Sequence, residues 1–251
     1  MIVVCYHNGA LGHCLSALFD CCTQEGGAVK FPSFSKGEHL HNHTQKSFFY
    51  KISHPTVDIE KEINNVIVSS SSNTEFGRLL ALYMGIAKWS KQLPDFNVPT
   101  TFNQGTGSFG NQIEILSTTL SNKLDAPIGW FLNADYVFDI LWYWEDPGKI
   151  VDFLKLIGLS PIENRVIEFT KLVTDSNQMY FDLIKNYYDT VEDICNQKDK
   201  KIDLTFFDTA IVHMLYLKRK QLHINDVDLL VQQPKSTLEF RNIIKENYHG
   251  N

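Results

Sequence analysis

The strongest constraint on the fold lies at the start of the chain, where a short apolar run enters a glycine-bearing turn. Residues 2–6 read Ile-Val-Val-Cys-Tyr, and the turn that follows contains Gly9 and Gly12. Apolar side chains then recur at helical spacing from Leu15 onwards. This order predicts a strand–loop–helix unit, on which phosphate-binding folds are built. Because the strand is apolar at every position, both of its faces need cover, and we expect it inside a parallel sheet beside residues 66–68.

A second strand–loop–helix unit follows a polar stretch of the chain. The apolar run 66–68 enters four serines at 69–72, and a helix is predicted from about Glu75. The repeated order favours an α/β fold over a β-sandwich or a helical bundle. We therefore predict a three-layer α/β/α architecture with a parallel sheet, a phosphate-loop-type start and a helical C-terminal third.

Boundary signals mark the next elements of the chain. A helix is predicted over residues 111–123, and the apolar run 128–132 is a candidate buried strand. Asp146 is a typical N-cap residue, and Pro147 after it suits the first position of a helix. Gly158 is the residue type that commonly ends a helix. These signals predict one further helix between Asp146 and Gly158.

From residue 160 onwards the pattern is helical. Residues 160–163 and 236–239 each read as a capping box, the first with proline at its second position. The length and apolar content allow one large domain. We therefore predict a single domain over residues 1–251, with an α/β core over 1–159 and a helical extension over 160–251.

The composition of the chain limits the kinds of partner that it can be expected to bind, and it indicates a cellular compartment. The formal net charge of −6 and the pI near 5.8 give no general electrostatic reason to bind nucleic acid. No apolar run approaches the length needed to cross a bilayer, so we expect no membrane partner. The five cysteines are an odd number and no secretory segment precedes the first strand, which favours a reduced, cytoplasmic setting. The expected partner is a small-molecule or anionic ligand.

Two motifs resemble the sulfotransferase branch of the phosphate-loop nucleotide-binding fold. Residues 6–11, Tyr-His-Asn-Gly-Ala-Leu, stand where this family has a strand and a basic-Ser-Gly-Thr-Thr loop around the 5′-phosphosulfate of its donor. Residues 130–138, 146–147 and 153–159 follow the family's later order of strand, acidic turn, Asp-Pro helix start and Phe-Leu-Gly-Leu ending. The stretches between the motifs resemble proteins of marine phages and environmental samples.

The resemblance implies a protein that binds a phosphorylated nucleotide or another anion at its N-terminal loop and transfers a sulfuryl group. The implied cofactor is 3′-phosphoadenylyl sulfate or adenosine 3′,5′-bisphosphate. His7 is the implied catalytic residue. The implied ligand-binding residues are His7, Asn8, Gly9, Ala10, Leu11, Gly12, His13, Ser70 and Arg78.

The loop departs from the family pattern at several positions. His7 stands where the family has Lys or Arg, and a neutral imidazole supplies one donor where Lys supplies a full charge. Ala10 and Leu11 replace two hydroxyl residues, and Arg78 follows the serines, which reverses the family order. Backbone N–H groups over residues 9–12 can still attract an anion without particular side chains. The alternative function is therefore a non-enzymatic binding or interaction protein with a degenerate donor site.

A second alternative is a histidine-rich metal-binding protein. His39, His41 and His43 alternate in sequence, so in an extended segment they project to one face. His7, His13 or Cys14 could add further ligands for zinc. No second ligand pair with finger-like spacing accompanies them, and such a run also fits a solvated polar loop. We expect no metal.

The other polar candidates are assigned structural roles. Asp135 and Asp139 have the spacing of one helix face and could serve acid/base chemistry, but capping and solvation are favoured. Cys21 and Cys22 are adjacent, which does not suit a disulfide or a CxxC site, so we expect them buried on the first helix. His213 lies among apolar residues and is interpreted as a hydrogen-bonded core residue.

Overall fold

The computed structural model describes most of the chain outside its long connections. The described residues are 1–6, 10–34, 50–53, 65–90, 109–125, 134–196 and 206–221. The strands in these ranges are β1 Ile2–Tyr6, β2 Tyr50–Ser53, β3 Val66–Ser71 and β4 Tyr136–Asp139. The helices in these ranges are α1 Gly12–Cys22, α2 Glu75–Ser90, α3 Phe109–Asp125, α4 Trp142–Glu145, α5 Pro147–Leu156, α6 Glu163–Cys195 and α7 Phe206–Arg219.

The described strands form one parallel sheet in the order β2-β1-β3-β4. β1 lies inside this sheet, with Ile2 in register with Tyr50 of β2 and Val66 of β3. Every residue of β1 is buried, at 0 to 6% exposure. The α/β class, the parallel sheet and the interior position of β1 beside β3 are therefore confirmed. The continuous apolar run of β1 is explained by this cover on both faces.

The last strand of the described sheet is not the one that the sequence predicts. The candidate strand 128–132 lies outside the described residues, and β4 follows it, where an acidic turn was expected. Asp135 attaches this segment to β3, because its N–H donates to the Ile67 carbonyl (2.9 Å) and its Oδ2 accepts the Ile67 N–H (2.9 Å). Asp139 is the last residue of β4, and its Oδ1 accepts the Leu141 N–H (3.0 Å). Both aspartate side chains thus accept hydrogen bonds from backbone N–H groups, which confirms the capping role that was favoured for them. The prediction that they share one helix face is wrong, because Asp139 belongs to a strand.

α5 has the boundaries that its sequence predicts. Asp146 is the N-cap, and its Oδ1 accepts the Gly148 N–H at 2.8 Å. Pro147 occupies the first helical position, where a missing N–H removes no helical hydrogen bond. Gly158 follows the C-cap with φ +82°, a left-handed conformation that glycine adopts without strain.

The start of α6 departs from the predicted capping box. Ser160 does not cap the helix, since its N–H and Oγ both donate to the Glu25 carboxylate, at 2.9 and 2.7 Å. The Ile162 N–H donates to the Cys22 carbonyl (2.7 Å), and α6 begins one residue later at Glu163. Residues 160–162 therefore pair with the segment that follows α1, and this long-range pairing replaces the local cap.

The chain divides into two compact units. One comprises residues 1–89 and 127–182 and holds the sheet, and the other comprises residues 90–126 and 183–251. In the second unit the Ser117 Oγ lies 3.0 Å from Nδ1 of His213, which is fully buried. The core role expected for His213 is therefore confirmed. A single domain with a boundary at residue 159 stays a prediction.

Candidate functional site

The carboxyl edge of β1 and β3 is where this sheet can build a binding site. The chain leaves β1 for β2 on one side, and then returns to form β3 on the other side of β1. The strand order therefore reverses between β1 and β3. In open α/β sheets, ligands bind in the crevice outside the carboxyl ends of the strands at such a reversal. Here Ala10, which lies just before α1, contacts Ser70 near the end of β3.

Gly12 and Tyr6 form the side of this edge nearest to α1. A Cβ atom on Gly12 would lie 2.0 Å from the Tyr6 ring, so only glycine allows this ring to rest on the helix start. The Tyr6 hydroxyl hydrogen-bonds to His13 Nε2 at 2.8 Å, and the two rings meet edge to face. Burial raises the pKa of Tyr6 to about 12, so its hydroxyl keeps its proton at neutral pH. Tyr6 thus keeps a neutral hydroxyl that is hydrogen-bonded to His13 at the start of α1.

Among the described residues, no side chain caps the first turn of α1. Its N-cap is Leu11, in a left-handed conformation (φ 53°, ψ 28°), and an apolar side chain cannot accept a hydrogen bond. No acidic residue lies in this turn. The start of α2 is different, because Thr74 Oγ1 accepts the Gly77 N–H at 3.0 Å. The first turn of α1 therefore keeps the partial positive charge that favours anions at helix N-termini.

The serines of β3 divide into two groups by what their hydroxyls contact. Ser70 Oγ donates to the Ala10 carbonyl at 2.5 Å and so fastens the loop to the strand. Ser69 and Ser71 point to the opposite face of the sheet and are fully buried. Within the described part of the chain, neither of these two hydroxyls has a hydrogen-bond partner.

Arg78 places a cation in the first turns of α2, after the carboxyl end of β3. Its side chain is partly buried, and its backbone N–H donates to the Thr74 carbonyl at 3.0 Å. Nε of Arg78 is shielded from solvent and finds no acceptor among the described residues. Such a buried donor is a group that an anionic ligand could satisfy.

The structure thus brings part of the predicted site together. Gly12 and His13 meet around Tyr6, and Ala10 and Ser70 are joined directly. His7, Asn8 and Gly9 lie outside the described residues, as do His39, His41 and His43. Tyr6 was predicted as a strand residue only, because its contact with His13 depends on how α1 folds back over β1. No sequence signal marks that contact.

The buried positions expected for Cys21 and Cys22 are confirmed. Cys21 and Cys22 are buried at the end of α1, and burial raises the pKa of Cys22, which keeps it a neutral thiol. Among the described residues, no group of three or more His, Cys, Asp or Glu side chains could hold a metal ion.

Comparisons with protein-family models, curated proteins and solved structures found no match to this chain. Over the described residues, none of the helices has both the length and the apolar character that a membrane span requires.

Proposed function

We propose that this protein binds a phosphorylated ligand, with a phosphorylated nucleotide as the first candidate, at the carboxyl edge between β1 and β3. One observation carries this proposal: where the strand order reverses, the N-cap residue Leu11 of α1 makes no capping hydrogen bond and the first turn of α1 holds no acidic residue. Helix N-termini attract phosphate and sulfate groups through their N–H donors and the helix dipole. The partly buried Arg78 supports the proposal, because an anion would supply an acceptor for its Nε.

The proposal includes the finer architecture that the sequence suggests. It takes the sheet as the middle layer of three and the β1–α1 loop as phosphate-loop-type. His7 is the proposed cation of the loop, by its place in the sequence, and Ala10 to His13 supply backbone donors. Ser70 holds the loop in position through the Ala10 carbonyl. The resemblance to sulfotransferases adds 3′-phosphoadenylyl sulfate as a proposed donor, from which the sulfuryl group would pass to a hydroxyl acceptor.

Thermal denaturation with increasing adenosine 3′,5′-bisphosphate tests the binding proposal. A ligand that binds only the folded state stabilises it by about 2.7 kcal/mol at a hundred times its Kd, so the melting temperature should rise with concentration. The Arg78→Gln variant should weaken binding. Arg219→Gln is the matched control, since Arg219 stacks over Tyr188 in the other unit and should leave binding unchanged.

The outcomes separate the functions. No stabilisation by the nucleotide, by pyrophosphate or by sulfate would reject anion binding. Equal loss of binding in both arginine variants would point to a general charge effect and not to this site. Binding without release of adenosine 3′,5′-bisphosphate from 3′-phosphoadenylyl sulfate, across phenol and sugar acceptors, would favour the non-enzymatic alternative.

A further inference from the structure

We infer that a hydroxyl group of the ligand, of the kind a ribose carries, is recognised by Ser71 and Asp139 at the carboxyl ends of β3 and β4. This inference rests on the proposed function, because it concerns the sugar of the phosphorylated ligand. It starts from the buried hydroxyl of Ser71, which has no hydrogen-bond partner in the described part of the chain. A buried hydroxyl without a partner is unfavourable, and native proteins rarely retain one without a reason.

Asp139 supplies the complementary group beside Ser71. The two residues are in register on adjacent parallel strands, so their side chains lie on the same face of the sheet. Oδ1 of Asp139 accepts the Leu141 N–H, whereas Oδ2 accepts no hydrogen bond from the described residues. Ser71 thus has a hydroxyl to donate, and Asp139 has a carboxylate oxygen ready to accept. One ligand hydroxyl can accept from the first and donate to the second.

Access to this pair comes from the β4 side. Val137 and Asp139 share the face of Ser71 and are partly exposed, so solvent reaches this face one strand away from Ser71. The Ser71 side chain itself is covered, and a ligand seated on Asp139 would meet its hydroxyl after a rotation about χ1. Asp139 also disfavours a bare anion at this position, since two negative charges repel. The pair therefore suits a neutral sugar hydroxyl better than a phosphate.

The test compares adenosine 3′,5′-bisphosphate with its 2′-deoxy counterpart, which differs only in one sugar hydroxyl. Because that hydroxyl would bond to a carboxylate, we expect the wild-type protein to bind the 2′-deoxy compound about tenfold more weakly. Ser71→Ala and Asp139→Asn should remove this preference. The asparagine keeps an oxygen for the Leu141 N–H, which preserves the local turn.

Matched controls are available on β3 and just before β4. Ser69→Ala removes an equally buried, unpartnered hydroxyl two residues further from the edge, and Asp135→Asn alters the carboxylate that holds the start of β4. Both variants should keep the preference for the ribose compound. Titrations by calorimetry, with melting temperatures to verify folding, give the affinities.

Each result has a definite meaning. Loss of the preference in Ser71→Ala and Asp139→Asn, with retention in both controls, would support the inference. Equal affinities of the wild-type protein for the two nucleotides would overturn it while leaving the proposed function standing. A preference that persists in both site variants would overturn it as well. If neither nucleotide nor pyrophosphate binds, this inference and the proposed function fail together.

Discussion

At the scale of single residues, neighbouring serines on one strand have opposite energetic roles. Ser70 satisfies the Ala10 carbonyl, whereas the hydroxyl of Ser69 is buried without a partner in the described part of the chain. A hydrogen bond contributes little net free energy when it forms, but breaking it inside a protein leaves a costly unsatisfied group. A Ser→Ala substitution should therefore lower the free energy of unfolding at Ser70 but not at Ser69.

We expect Ser70→Ala to lower the free energy of unfolding by about 1 to 3 kcal/mol, because the Ala10 carbonyl would lose its donor inside the protein. Ser69→Ala should leave it unchanged or raise it, since that substitution removes an unpartnered polar group. Urea denaturation of both variants measures the difference. Equal destabilisation of the two would show that the hydrogen bond to Ala10 is not what distinguishes them.

Gly12 is the residue where the site is most sensitive to added volume. A Cβ atom 2.0 Å from the Tyr6 ring forces that ring to move, and overpacking of this kind costs about 1 to 3 kcal/mol. We expect Gly12→Ala to destabilise the protein by that amount. The same substitution in a Tyr6→Ala background should cost less, because the obstructing ring is gone. Thermal denaturation of the four proteins in this cycle tests the contact, and strict additivity would contradict it.

At the scale of elements, the segment after α1 is held by residues far along the chain. Arg165 on α6 donates from Nε to the Cys21 carbonyl and from its second amino group to the Val29 carbonyl, both at 2.5 Å. Its guanidinium also lies 4.5 Å from the centroid of the Phe31 ring. One planar side chain thus contacts the end of α1 and two points of the segment after it, which a lysine cannot reproduce.

We therefore expect Arg165→Lys to lower the free energy of unfolding by about 2 kcal/mol, the typical value of a hydrogen bond to a charged group. Arg219→Lys is the control, since its described contact is a stacking over Tyr188 at 5.6 Å, and it should cost under about 1 kcal/mol. Chemical denaturation gives both values. A cost no larger for Arg165 than for Arg219 would mean that the segment is held by other contacts.

The elements also show which parts of the fold the sequence could predict. β1 and α5 were predicted because their signals are local: an apolar run, and an Asp-Pro start with Gly158 as its stop. β4 and the start of α6 were not, because Asp135 meets Ile67 and Ser160 meets Glu25 across long stretches of chain. The spacing of residues within a short segment does not predict contacts with residues far away in the chain.

The contacts within the candidate site could not be predicted from the sequence. The family resemblance implied that Gly12 and Ser70 bind the ligand, and that role stays a prediction. The sequence could not give the contact of Tyr6 with His13, nor the register that sets Ser71 beside Asp139. Both depend on how helices and strands pack after they form, so they follow from tertiary structure alone.

At the scale of the whole molecule, the buried His213 makes stability depend on pH. Burial lowers the pKa of His213 to about 3, from an ordinary value near 6.5. Between these two values the unfolded chain binds a proton at His213 and the folded protein does not. Protonation therefore favours unfolding, and the stability that this residue contributes is lost as the pH falls below about 6.5.

We expect the free energy of unfolding to fall by about 1.4 kcal/mol per pH unit through this residue between pH 6 and 4, on top of other titrating groups. His213→Asn keeps a polar group near Ser117 and has no proton to gain, so its stability should fall less steeply. Denaturation at several pH values compares the slopes. Parallel slopes in the two proteins would show that His213 is not the source.

The interior position of β1 has a consequence for synthesis of the chain. β1 leaves the ribosome before the strands that flank it, which begin only at residues 50 and 66. Until β2 and β3 have both emerged, the backbone N–H and C=O groups along the two edges of β1 are unpaired. Such edges can pair with strands of other chains and so promote aggregation. The nascent protein therefore depends on its later segments, or on a chaperone, to protect β1 from aggregation.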